Sequence, residues 1–141
     1  HGEWSGIIKP KEFAQKLVKV NQDNSGKVVP VIKLAKSIIS ELPESRQLSG
    51  YHLESLAVKV FSDYDGLNTP KAMLKHFISR SADLVMSTIK DSTNQSINVD
   101  SYLGPDGSID RKAVSDSLSR ISRKMEAADR SGNTDQWAEI L

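Results

Sequence analysis

The sequence predicts an all-α fold, a compact bundle of about five or six helices. Three observations carry that expectation. Apolar residues recur at steps of three and four in five successive segments, the period of a helix with one buried face. No segment alternates apolar and polar residues long enough to make a strand. The 141 residues are 38% hydrophobic and 26% charged, a globular composition that excludes collagen, coiled-coil and disordered classes. One packed core suits that length, so residues 1–141 are expected to form a single helical domain.

Pro10 opens the first helix, whose apolar positions are Phe13, Ala14, Leu17 and Val18, and Asn21-Gln-Asp-Asn-Ser-Gly26 follows as a polar turn. The second helix has the clearest stripe: Val28, Val31, Ile32, Ala35, Ile38, Ile39 and Leu42, with Pro30 tolerated in its first turn. After the loop at 43–47, Ser49 caps a third helix carrying Leu53, Leu56, Ala57, Val60 and Phe61. Asp65-Gly-Leu-Asn-Thr-Pro70 breaks the pattern. Thr69 and Pro70 then stand at N-cap and first position of a longer fourth helix with Leu74, Phe77, Ile78, Val85 and Ile89. Residues 91–107 keep no period and are expected to form an ordered loop ending in the Gly104-Pro-Asp-Gly107 turn. Val114, Leu118, Ile121, Met125 and Ala128 make a fifth stripe, and Thr134 is placed to cap a final turn with Trp137, Ile140 and Leu141.

Nineteen Lys and Arg stand against 18 Asp and Glu, a net charge of +1, so composition does not point to a nucleic-acid partner. The distribution is less even. Residues 1–40 carry seven Lys against Glu3, Glu12 and Asp23, a net +4, which leaves −3 on the remainder and allows a local anion site near the start. Cysteine is absent, which removes disulfides, thiolate zinc sites and cysteine nucleophiles and makes a cytoplasmic location the expectation. No apolar run approaches the ~18 residues of a membrane span, so no membrane partner is expected. The opening His-Gly-Glu-Trp has no initiator Met and no leader pattern, and reads as an excerpt from a longer chain.

Asp63-Tyr-Asp65 could hold Mg²⁺ if both carboxylates sat on one side of a strand, but it falls at a helix end beside Gly66, where a solvated terminus is the expectation. His1, His52 and His76 stand in no zinc-binding spacing, and no nucleophile elbow accompanies them. His52, in the first turn of the third helix, is expected to serve packing or capping. Lys33, Lys36, Ser37 and Ser40 occupy the polar side of the second helix, and Ser49, Tyr51 and His52 open the third. A Lys ammonium and a Ser hydroxyl beside a helix N-terminus suit a polyphosphate, because the dipole and the unsatisfied N–H groups add to the charge. An exposed aromatic ring beside them would stack on a base. The plainer alternative is a wet helix face and an N-cap.

Lys33-Leu-Ala-Lys36 followed by Leu48-Ser-Gly-Tyr-His-Leu-Glu54 resembles the C-terminal helical domain of template-independent nucleotidyltransferases. That family includes oligoadenylate synthetase, cyclic GMP-AMP synthase and the bacterial cyclic-oligonucleotide synthases of anti-phage defence. The Pro10 helix ending at Asn21, Gly26 before Val28-Val29, Asn98-Val-Asp100-Ser-Tyr-Leu103 and Trp137 extend the resemblance along the chain. It implies the helical substrate-binding domain also found in poly(A) polymerases, with ATP or GTP as ligand. By position, Lys36 and Ser49 would contact the triphosphate and Tyr51 would stack on the base. Relatives often carry Ser directly before the Tyr, where this chain has Gly50 and places Ser49 one residue earlier. The resemblance further implies a separate N-terminal catalytic lobe as partner, holding the carboxylates and Mg²⁺ or Mn²⁺ that make linear or cyclic oligonucleotides. No catalytic residue and no metal site is expected within these 141 residues. The competing expectation is a non-catalytic helical protein-interaction module.

Overall fold

The computed structural model describes residues 11–87 and 103–132. These residues form five α-helices and no strand, as the periodicity predicts. The helices are α1 (Lys11–Asp23), α2 (Val28–Ile39), α3 (Gly50–Phe61), α4 (Pro70–Leu84) and α5 (Ile109–Ser131), with a 3-10 turn at Glu44–Arg46. The expected Ile89 end of α4, most of the loop at 91–107 and the turn bearing Trp137 lie outside the described residues.

α3 is the central helix, packed by α1, α2 and α4. Ten of its twelve residues are buried, including Tyr51, His52, Glu54 and Ser55, which lie off the predicted stripe. α2 buries Val28, Val31, Ile32, Ala35, Ile38 and Ile39, the predicted face, while Leu42 is half-buried just past the helix. α1 departs from its predicted face. Phe13, Leu17 and Val20 turn inward, whereas Ala14 is exposed and Val18 is 55% exposed. Spacing of four then three gives this helix a seam narrower than the predicted stripe, and Asn24 continues it.

Helix ends are secured largely by residues whose types announce the role. Ser49 accepts the His52 amide N–H at 3.1 Å, Thr69 accepts that of Ala72 at 3.3 Å, and Ser108 accepts that of Arg111 at 3.2 Å. Gly132, at φ +67°, closes α5 in the left-handed conformation that glycine adopts without strain. α2 has a different device, because its N-cap position is Lys27 and offers no acceptor. The side-chain oxygen of Asn21 reaches back from α1 instead and accepts the Val29 amide N–H at 3.0 Å. Asn24, 3% exposed, donates to the carbonyls of Val20 and Phe61 and so joins the α1–α2 turn to the end of α3.

α5 packs on α4 along most of its length and touches the 3-10 turn. Arg111 locks the junction. Its guanidinium is buried and donates to the carbonyls of Val85 at 3.0 Å, Ser87 at 3.1 Å, Gly104 at 3.0 Å and Pro105 at 3.2 Å. A positive charge at the carboxyl end of α4 also complements that helix's dipole. At the opposite end, Lys75 of α4 pairs with Glu126 at 3.0 Å and with Asp129 of α5.

Candidate functional site

The α2–α3 connection brings the predicted residues to one end of the bundle. Gln47 ties that connection down, its amide donating to the carbonyls of Ser40 at 3.2 Å and Leu42 at 2.8 Å, while Leu48 is buried in the core. The chain then enters α3 at the Ser49 cap. Between the last turn of α2 and the first turn of α3 lies a shallow depression of about 140 Å³, with Lys36 and Ser40 on one side and Gln47, Leu48 and Gly50 on the other. Ile39 and Leu53, both buried, form its floor.

Lys36 projects toward α3, and its ammonium nitrogen lies 3.5 Å from the Glu54 carboxylate. The Lys36 side chain is 40% exposed and that of Glu54 only 11%. Glu54 is therefore the more enclosed member of the pair. A weakly screened carboxylate also neutralises part of the charge that an incoming phosphate would meet. Ser49 is engaged as the α3 cap.

Tyr51 requires a correction. The expected exposed ring for base stacking is absent: Tyr51 is 2% exposed and packs edge-on against Phe13, with ring centroids 5.0 Å apart and planes at 76°. The reason is the centrality of α3, whose first turn already faces α1, so that an aromatic there becomes core. His52 is fully buried, in line with a packing role. Sequence reasoning missed Glu54, since nothing in residues 33–36 announces a counter-charge 18 positions on.

A second and larger concavity, about 430 Å³, lies between the end of α3 and the middle of α4. Lys59, Asp63, Asp65, His76 and Arg80 line it, together with Tyr64, whose hydroxyl donates to the Leu67 carbonyl at 2.7 Å. Gly66 lies against that ring; a Cβ there would stand 2.6 Å from the Tyr64 hydroxyl. Burial, and then the neighbouring Asp65, raise the Tyr64 pKa. Burial, and then the Arg80 charge, lower that of His76, against the opposing pull of Asp63 and Asp65. Asp63 and Asp65 are exposed, as expected of a solvated helix end. Among the described residues no three His, Asp or Glu side chains converge to hold a metal ion, and no helix is long and apolar enough to cross a membrane.

The geometry defines a helical bundle in which a lysine of α2 is paired with Glu54 of the central helix. Comparison with protein-family models, with curated proteins and with solved structures finds no match.

Proposed function

We propose that the chain is the nucleotide-binding helical lobe of a template-independent nucleotidyltransferase, with ATP or GTP as ligand. The observation that carries the reading is the reach of Lys36 across the α2–α3 depression toward Glu54, one turn beyond the Ser49 cap. An ammonium and the positive end of a helix dipole then face the same small space, the combination that suits phosphate oxygens. The resemblance at Lys33–Lys36 and Leu48–Glu54 falls on the two segments that border this depression.

The contacts available are narrower than the resemblance implies. Lys36 and the α3 first turn serve phosphate, and Tyr51 supports the α1–α3 contact from below instead of stacking. Asp63 and Asp65 are exposed at the end of α3, away from the Lys36 depression. Carboxylate and metal chemistry belongs, in this proposal, to a catalytic lobe carried elsewhere in the parent protein.

Titration of the chain with ATP and with GTP tests the reading. Saturable binding should weaken about tenfold in Lys36→Ala, the loss of one partly exposed charge-assisted contact, and stay unchanged in Lys33→Ala. Equal affinity of wild type and Lys36→Ala, with both folded, contradicts it. One observation favours the second reading, a non-catalytic interaction module: the burial of Tyr51, which removes the aromatic platform for a base.

A further inference from the structure

α5 presents a face that no other described helix packs against. Arg111, Val114, Ser117, Leu118, Met125 and Ala128 point inward against α4 and the 3-10 turn. On the outward side, Lys112, Asp116, Arg120, Arg123, Lys124, Ala127 and Arg130 are all exposed and follow one another at helical spacing. Five cations therefore share one helix face with a single carboxylate. At 1.5 Å per residue, the stripe from Lys112 to Arg130 runs about 27 Å.

Three features separate this stripe from an ordinary wet helix surface. First, two of the nearby carboxylates are engaged sideways, Glu126 and Asp129 both pairing with Lys75 of α4, which leaves Asp116 as the carboxylate within the stripe. Second, among the described residues Lys112, Arg120, Arg123, Lys124 and Arg130 make no ion pair and no side-chain hydrogen bond. Third, α5 holds six cations against Asp110, Asp116, Glu126 and Asp129, so the basic stripe comes from the placement of cations on one face and not from a large net charge.

We infer that the outer face of α5 is a docking surface for an acidic helical segment of a partner protein. Charge complementarity sets the sign of the partner, and the dimensions of the stripe set its shape. A facing helix, roughly 10–12 Å across, covers the stripe without overlying its borders. A nucleic-acid duplex is broader and would bring phosphates over Asp110 and Glu126, which flank the stripe on either side. A net charge of +1 also supplies no long-range field to draw in a polyanion, whereas an acidic protein surface need engage only within a Debye length of about 8–10 Å. Ile109, 85% exposed one turn before Lys112, is a large apolar side chain at the start of the stripe, and the rest of the contact is polar, salt-sensitive and transient.

The test uses the chain itself and a fluorescent synthetic helix of about 20 residues, matched to the stripe in length, with Glu at helical spacing on one face. Controls are a peptide of the same composition with the Glu positions scrambled and a DNA duplex of similar length. Anisotropy at low ionic strength should show saturable binding of the striped helix, tighter than either control. The double variant Arg120→Glu/Arg123→Glu should weaken it about tenfold or more with an unchanged melting curve, and Lys33→Glu on α2 should leave it intact. Tighter binding of the duplex, equal binding of the scrambled peptide, indifference to the α5 variant, or no saturable binding overturns the inference.

Discussion

Three residues set the local character of this molecule, and each reports a different cost of burial. Tyr51 fills the α1–α3 contact, so Tyr51→Ala should lower stability by about 3–5 kcal/mol through the cavity it leaves, read from chemical denaturation. A surface stacking residue at that position would leave the denaturation midpoint nearly unmoved. Arg111 holds four carbonyls at the α4–α5 junction. Arg111→Met strips those acceptors of their donor in a buried setting and should cost roughly 3 kcal/mol or more, checked by thermal unfolding. His76 contributes through protons. Its folded pKa lies below the ordinary 6.5, so the unfolded chain binds the proton more readily and this residue's contribution to stability rises with pH across the interval from the folded value to 6.5. Urea unfolding at about pH 5 and about pH 7.5 should therefore show a smaller difference in His76→Gln than in wild type. An equal or larger difference in the variant contradicts the assignment.

At the scale of helices, legibility follows from how local the physics is. The α2 stripe was readable in full because one face of a two-sided helix meets the core, and Val28 through Ile39 obey that period. Ser49, Thr69 and Pro70 were readable because capping is decided within four residues. Ser49→Ala should accordingly cost about 1 kcal/mol of stability, measured as a shift in denaturation midpoint with the helical circular dichroism retained. α3 was not readable in the same way. A helix surrounded on nearly all sides buries its polar side chains too, so the apolar stripe understated the core and placed Tyr51 outside it. The spacing of Ala14 and Val18 predicts a buried face that α1 does not have, because a peripheral helix needs only a narrow seam. Glu54, Asn24 and Arg111 meet partners 18 to 37 residues away, a distance over which residue type alone carries no pairing information.

At the scale of the whole molecule, two cationic surfaces stand on different helices. One end of the bundle holds the Lys36 depression, where a single exposed cation is paired with a nearly buried carboxylate. The outer side of α5 holds an extended basic stripe, a feature hidden in a chain-wide charge of +1. Among the described residues no three His, Asp or Glu side chains converge, and the proposed reading assigns catalysis to a separate lobe. Incubated alone with labelled ATP or GTP and Mg²⁺, the chain should form no oligonucleotide, and a Mg²⁺-dependent product from pure protein would return Asp63 and Asp65 to consideration. The central claim is that phosphate binds between α2 and α3, and a heteronuclear NMR titration with ATP in metal-free buffer tests it most directly. The account predicts that the largest amide shifts fall at residues 47–53 and around Lys36, and that Lys36→Ala moves their titration midpoint about tenfold higher in ATP. Saturating ATP without shifts there, or with its largest shifts along the outer face of α5, would contradict it.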